Sequence, residues 1–153
     1  MAKQSWQPGA VIRKTLGDLT FYGRLLEFPW AAFYDYRTEQ PASDLDEITA
    51  RPVLFTLAAH KDLIAKGQWE VLGRRALEDS LGPPPAQRVV DVLDPDHYQL
   101  IDADGEIREA TREEVEGLEP AAVWEPEHIA DRLEDHYAGR PNRWLKDMLP
   151  PAP

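Results

Sequence analysis

The sequence contains no cysteine among its 153 residues. This absence excludes disulfides, thiolate metal sites and a cysteine nucleophile, and it suits a reducing cytosol. The chain also has no apolar run long enough to span a bilayer. Its first residues, Met-Ala-Lys-Gln-Ser-Trp-Gln-Pro-Gly, lack the apolar centre of a signal peptide. We therefore expect a cytoplasmic protein that has no membrane partner.

Positive charge is scarce as well. Lysine and arginine total 17 against 28 aspartate and glutamate residues, which gives a formal net charge of -11. Such a surface repels phosphate backbones, so nucleic acid is not an expected partner. It attracts basic proteins and speeds their encounter. Solubility alone is the competing explanation for the same composition.

Short apolar and aromatic runs, separated by glycine and proline, predict strands in the first two thirds of the chain. Gly23, inside one aromatic run, predicts a bulge or a close backbone approach. Asp104-Gly105 lies between two runs and predicts a hairpin with a type I′ turn, in which both turn residues have positive φ. The predicted strands are residues 10–13, 19–26, 30–36, 53–59, 68–74, 88–93, 98–101 and 107–108.

Helical signals lie near the C-terminal end. Thr111 and Glu114 have the spacing of a capping box, and a longer helix is expected to begin at Pro126. Its apolar stripe consists of Ile129, Leu133 and Tyr137. The pattern predicts an α+β fold, with a twisted, mostly antiparallel β-sheet or partial barrel and a C-terminal amphipathic helix packed on it. We expect one domain over residues 1–149 and a frayed tail over 150–153.

No group of residues specifies an enzyme. The chain has neither a Gly-x-Ser-x-Gly motif nor a glycine-rich phosphate loop. We predict no catalytic residues, no cofactor and no metal site. Turn chemistry explains the two acidic clusters that could otherwise bind a cation. These clusters are Asp102 with Asp104 and Glu106, and Asp91 with Asp94, Asp96 and His97. A metal-dependent hydrolase built on Asp94, Asp96 and His97 stays open as an alternative.

The acidic segment 37–52, bounded by prolines, is predicted to be a loop with little to bury. A long charged loop that packing does not require is a candidate for binding, although a merely solvated loop has the same composition. Trp30 precedes it and would supply an aromatic anchor. We predict that the partner-binding residues include Trp30, Glu39, Asp44, Asp46 and Glu47.

Several stretches, in order, resemble the immunity protein 26 family of bacterial polymorphic toxin systems. The likeness extends over nearly the whole chain, whereas each stretch alone is short. The first stretches are Tyr-Gly-Arg-Leu-Leu (22–26), Ala-Phe-Tyr-Asp-Tyr (32–36), Pro-Val-Leu-Phe (52–55), Gly-Gln-Trp-Glu-Val-Leu-Gly (67–73) and Gly-Pro-Pro-Pro (82–85). The later ones are Ala-Thr-Arg-Glu-Glu (110–114), Gly-Leu-Glu (117–119), Ala-Ala-Val-Trp-Glu-Pro-Glu (121–127) and Asp-Arg-Leu (131–133).

The resemblance implies a protein made beside a toxin, which binds that toxin and protects the producing cell. It implies no catalytic residues, and the matched residues look mainly structural. We therefore expect a non-enzymatic inhibitor that binds a cognate toxin domain, and the charge of the chain predicts that this domain is basic. A cytoplasmic module that binds a small molecule or peptide through its aromatic residues is the other alternative.

Overall fold

The structure is a computed structural model that describes residues 5–148, apart from the side chain of Asp147. The predicted frayed tail, residues 150–153, lies outside the described residues. The strands are β1 (Ala10–Leu16), β2 (Leu19–Leu25), β3 (Trp30–Thr38), β4 (Val53–Ala59), β5 (Glu70–Arg74), β6 (Gln87–Val89), β7 (Gln99–Ile101), β8 (Ile107–Glu109), β9 (Glu119–Pro120) and β10 (Val123–Trp124). The α-helices are α1 (Leu45–Thr49), α2 (Asp62–Ala65), α3 (Arg112–Val115), α4 (Pro126–Ala138) and α5 (Arg143–Met148).

The chain divides into two compact units. The first comprises the residues up to Gly82 together with Val123–Ala130, and the second comprises Pro83–Ala122 together with the residues from Asp131 onwards. The predicted α+β class and the mostly antiparallel pairing are confirmed, but the strands form two sheets rather than one. The single domain over residues 1–149 stays a prediction.

The first unit is built on a six-stranded sheet in the order β10-β4-β3-β2-β1-β5. All its neighbouring strands are antiparallel except β10 and β4. The register of β2 against β3 shifts between Phe21 and Gly23. A Cβ atom on Gly23 would lie 3.0 Å from the carbonyl oxygen of Ala32. The close backbone approach, one of the two alternatives predicted for this glycine, is therefore present, whereas the extra residues at the register shift lie in β3 between Phe33 and Arg37.

One cluster of the first unit's core includes a helix that the sequence did not predict. Ile48 of α1 is fully buried beside Val11, Tyr22 and Tyr34, and Leu45 packs against the same cluster. The two residues are three positions apart and so lie on one face of the short helix. The prediction that segment 37–52 has little to bury was wrong, because Leu45 and Ile48 both pack on the core cluster.

The second unit contains a four-stranded sheet in the order β8-β7-β6-β9. Strand β6 of this sheet ends at Val89, so the prediction of a strand over residues 88–93 was wrong beyond that residue. The Asp91 side chain accepts hydrogen bonds from the backbone N–H groups of Leu93 and Asp94, both at 3.0 Å. Local side-chain bonds of this kind compete with the sheet ladder, and here they replace it with a turn.

The predicted hairpin is present, but its turn is not type I′. Gly105 has φ 84. Asp104 does not have positive φ, and neither does any other non-glycine residue among residues 5–148. The Gly105 N–H donates to the Asp102 carbonyl at 3.0 Å, and the Asp102 side chain accepts from the Asp104 N–H at 2.9 Å. One glycine therefore absorbs the positive φ that the prediction assigned to two residues.

The two predicted helices near the C-terminal end are confirmed. Thr111 and Glu114 form both bonds of the capping box that begins α3. Ile129 and Leu133 of α4 are fully buried, and the helix ends before Gly139, which has φ 70. Among residues 5–148, no helix combines the length and apolar character needed to cross a membrane.

Candidate partner-binding surfaces

The first candidate surface consists of the predicted acidic residues Glu39, Asp44, Asp46 and Glu47, and we call it the first acidic surface. All of them are exposed. Asp44 is the N-cap of α1, because its side chain accepts from the backbone N–H groups of Asp46 at 3.0 Å and Glu47 at 3.3 Å. Asp44 therefore fixes the first turn of α1, which carries the exposed side chains of Asp46 and Glu47.

Neighbouring groups partly neutralise the first acidic surface. Asp46 forms an ion pair with Arg75 at 3.2 Å. Glu47 accepts a hydrogen bond from the Tyr36 hydroxyl at 2.8 Å and lies 3.6 Å from Arg51. The bond to Glu47 is the main cause that raises the pKa of Tyr36. Two of the four predicted carboxylates thus already have cationic neighbours.

The segment before α1 is held in place from two strands. Arg13 of β1 donates from Nη1 to the Ala42 carbonyl and to the Ser43 hydroxyl, both at 2.9 Å. The Ala42 N–H donates to the Tyr22 hydroxyl of β2 at 2.8 Å. These bonds explain how a proline-bounded, acidic stretch is ordered in the structure before any partner binds.

Arg24 holds the segment that carries Arg75. Arg24 is fully buried, its Nε donates to the Gly9 carbonyl at 2.9 Å, and its Nη2 donates to the carbonyls of Arg75 and Ala76 at 2.8 Å each. Its Nη1 lies 3.3 Å from the half-exposed carboxylate of Glu78. One guanidinium therefore positions the arginine that pairs with Asp46.

The structure does not bring Trp30 to the first acidic surface. Trp30 begins β3 and is half-buried, whereas Glu39 directly follows the other end of that strand. A strand rises about 3.3 Å per residue, so the two ends of β3 are roughly 25 Å apart. Asp44, Asp46 and Glu47 lie together at the start of α1, whereas Trp30 is remote from Glu39.

Two open clefts of the first unit bear on the small-molecule alternative. The larger, about 550 Å³, is bordered by Glu39 and Asp18, and the other, about 360 Å³, by Pro8 and Leu77. Neither is enclosed, whereas small-molecule sites bury most of their ligand among apolar side chains. The clefts therefore give that alternative no specific support.

A second candidate surface, which we call the second acidic surface, comprises residues 91–109 of the second unit. It carries seven carboxylates and a single arginine, Arg108. The carboxylates are those of Asp91, Asp94, Asp96, Asp102, Asp104, Glu106 and Glu109. Most of them are exposed, and Arg108 already pairs with Glu114 at 3.1 Å. Its negative charge is therefore less neutralised than that of the first acidic surface.

His97 joins the loop of this surface to β8. Its Nδ1 lies 2.9 Å from Asp91 and its Nε2 lies 2.8 Å from Glu109. The bonds to Asp91 and Glu109 raise the pKa of His97, and the bond from His97 is the main cause that lowers the pKa of Asp91. The stabilising effect of the histidine is present below pH ~6.5 and is lost as the pH rises through its raised pKa. The stabilising effect of the Asp91 carboxylate is present above pH ~3.9 and is lost as the pH falls through its lowered pKa.

The same contacts bear on the metal-dependent hydrolase alternative. Both ring nitrogens of His97 are engaged by carboxylates, and the Asp94 side chain accepts from the Asp96 N–H at 3.3 Å. Across the described part of the chain, no three His, Cys, Asp or Glu side chains are grouped so that they could hold a metal ion. The acidic cluster is accounted for by turn formation.

Apolar side chains lie at the tip of the second acidic surface. Leu93 is 93% exposed and Val92 is 84% exposed, which makes them the most exposed large apolar residues in the described part of the chain. The prediction from the sequence placed both in a strand and so missed them. The usable signal was their position between Asp91 and Asp94-Pro95, where turn residues interrupt the strand pattern.

Comparison with known families decides the classification. The family model for immunity protein 26 matches residues 7–99, which is more than half of the chain. The chain belongs to the immunity protein 26 family. Family membership indicates a role in toxin immunity and, in general terms, the binding of a cognate toxin. The resemblance noted over residues 110–133 lies outside the matched stretch. No curated protein and no solved structure matches the chain.

Proposed function

We propose that the protein is a non-catalytic, cytoplasmic inhibitor that binds a basic toxin domain of a polymorphic toxin system in a stoichiometric complex. Membership of the immunity protein 26 family is the observation that carries the proposal. The formal net charge of -11 supports a basic partner, because complementary potentials raise the association rate and select the partner.

The first acidic surface is the proposed contact within the first unit. Asp46 and Glu47 lie on a helix that is capped by Asp44 and anchored by the buried side chain of Ile48, and Glu39 follows the end of β3. Binding to a preformed surface loses less conformational entropy than binding that must order a loop. Trp30 would then contribute to a separate contact, because it begins β3, whereas Glu39 follows its end.

An activity titration tests the proposed function. The toxin domain made beside this protein is purified, and its activity is measured as the protein is added in increasing amounts. We expect activity to fall linearly and to vanish at a fixed molar ratio, as stoichiometric inhibition requires. Full activity in the presence of a large molar excess would refute the proposal, and so would inhibition that continues after the protein has been removed.

A charge reversal tests the first acidic surface. Glu39→Lys with Glu47→Lys leaves the Asp44 cap and the Asp46 ion pair intact. Glu116→Lys with Glu134→Lys, at two exposed positions in the second unit, is the control that changes the net charge equally. We expect the first variant to bind the toxin domain at least ~10-fold more weakly at low salt than the control. Equal affinities of the two variants would contradict this assignment.

A further inference from the structure

The exposed apolar pair Val92-Leu93 lies on a loop that side-chain hydrogen bonds hold in place. Asp91 caps the turn through two backbone N–H groups, and His97 ties the loop to Glu109 of β8. Leucine and valine side chains contribute no hydrophobic free energy while they are exposed to water. They stabilise a complex only when a partner covers them. Because the loop is ordered in advance, covering them loses little conformational entropy.

The strand that His97 joins to this loop carries a further exposed apolar side chain. Ile107 is 61% exposed and lies two residues before Glu109, so that both side chains leave the same face of β8 about 7 Å apart. β8 is the last strand of its sheet, and all three of its residues are exposed. Residues 91–109 therefore carry three exposed apolar side chains and an exposed edge strand.

The charges around these apolar residues indicate what covers them. Seven carboxylates surround them in sequence. The basic side chains of the same segment are Arg108, which is already paired with Glu114, and His97, which is bonded to Asp91 and Glu109. A second copy of the chain would bring like charges together, and nucleic acid or an anionic membrane would be repelled. A partner with an apolar pocket inside a basic rim matches both features, since interfaces combine an apolar centre with a polar rim.

We infer that the second acidic surface is the principal docking surface for the basic toxin domain, with Val92 and Leu93 as its central anchors. The inference rests on the proposed function and adds the location of the contact and the shape of the partner. The toxin domain presents an apolar pocket to these two side chains, and lysine and arginine residues around that pocket pair with the carboxylates.

Two pairs of variants test the inference with the purified toxin domain as the probe. Val92→Ser with Leu93→Ser removes the anchors, and Val53→Ser with Val123→Ser removes two exposed valines of the first unit as a control. Asp96→Asn, Asp104→Asn and Glu106→Gln remove three carboxylates that make no side-chain hydrogen bond or ion pair within the described part of the chain. Glu116→Gln, Glu127→Gln and Glu134→Gln match them in net charge. Thermal melts check that each variant is folded.

We expect the anchor variant to bind the toxin domain about 10-fold or more weakly than the wild type, mainly through faster dissociation. The carboxylate variant should associate several-fold more slowly at low salt, with the difference disappearing at high salt. Anchor and carboxylate variants that bind as tightly as their controls, while the wild type binds, would overturn the inference and leave the proposed function intact. No binding by the wild type would overturn both. Loss of a wild-type dimer in the anchor variant, measured by sedimentation, would instead assign the surface to self-association and overturn the inference.

Discussion

Replacing Arg24 by methionine should destabilise the first unit more than any change at an exposed ion pair. The side chain is fully buried and donates to the backbone carbonyls of Gly9, Arg75 and Ala76. Each hydrogen bond from a charged donor contributes about 1.5–3 kcal/mol. The Gly9 carbonyl retains a second donor, the Arg75 N–H at 3.0 Å, and water can reach the exposed residues 75 and 76.

These compensations reduce the expected loss to about 3 kcal/mol of unfolding free energy, well below the sum of the bonds. Urea denaturation measures it, provided that the m-values of wild type and variant agree. Arg24→Lys should lose more than half as much, because an ammonium group cannot reproduce the geometry of the guanidinium fork.

Glu78→Gln is the matched control for the ion pair. Its carboxylate is 50% exposed, so solvent screens the pair with Arg24, and the expected loss is under ~1 kcal/mol. A loss as large as that of Arg24→Met would show that the ion pair, rather than the carbonyl bonds, stabilises this segment. A loss of less than ~1 kcal/mol in Arg24→Met itself would refute the reasoning entirely.

Four further changes have expected outcomes. Ile48→Ala should lower the unfolding free energy by about 2–4 kcal/mol in urea denaturation, because it leaves a cavity under α1; a loss below ~1 kcal/mol would mean that α1 does not anchor the segment. Thr111→Ala should lower it by about 1 kcal/mol by removing the cap of α3, whereas Thr111→Ser should not. Arg88→Met should leave the unfolding free energy unchanged or raise it by about 1 kcal/mol or more. Burial lowers the pKa of Arg88, and its Nε and Nη1 have no hydrogen-bond partner among the described residues. A marked loss of unfolding free energy would show that the guanidinium does have a partner. In Asp91→Asn, the titration of His97 followed by NMR should move to lower pH than in the wild type, and an unchanged midpoint would contradict the assigned cause.

The sequence predicted the elements whose signals are local. The capping box of Thr111 and Glu114 and the buried face of α4, formed by Ile129 and Leu133, each depend on residues within a few positions of one another. Such signals do not depend on the rest of the fold. They were confirmed with boundaries close to those predicted.

What the sequence did not predict depends on competition between local and distant contacts. α1 is a single turn that would be unstable alone, and it forms because Ile48 enters a core built by three strands. The strand predicted over 88–93 stops at Val89, because the Asp91 side chain binds the backbone instead. The parallel pairing of β10 with β4 joins residues far apart in the chain, and no short-range pattern encodes it.

The candidate surfaces also have some features that the sequence predicted and others that only the fold determines. The charge of segment 39–47 was visible in the sequence, but its partial neutralisation by Arg75 and Arg51 required the fold. Val92 and Leu93 were predicted to lie in a strand, because their apolar side chains were given more weight than the turn residues Asp91 and Asp94-Pro95 on either side. Only the accessibility of these side chains in the structure identifies them.

The central claim is that an acidic immunity protein captures a basic toxin domain. The most direct test is the association rate of the wild type with the purified toxin domain, measured by stopped flow over a series of salt concentrations. The claim predicts a fast rate at low salt that falls steeply as the salt concentration rises, in a complex of fixed stoichiometry. A rate that does not change with salt concentration, or the absence of a complex at any salt concentration, would contradict it.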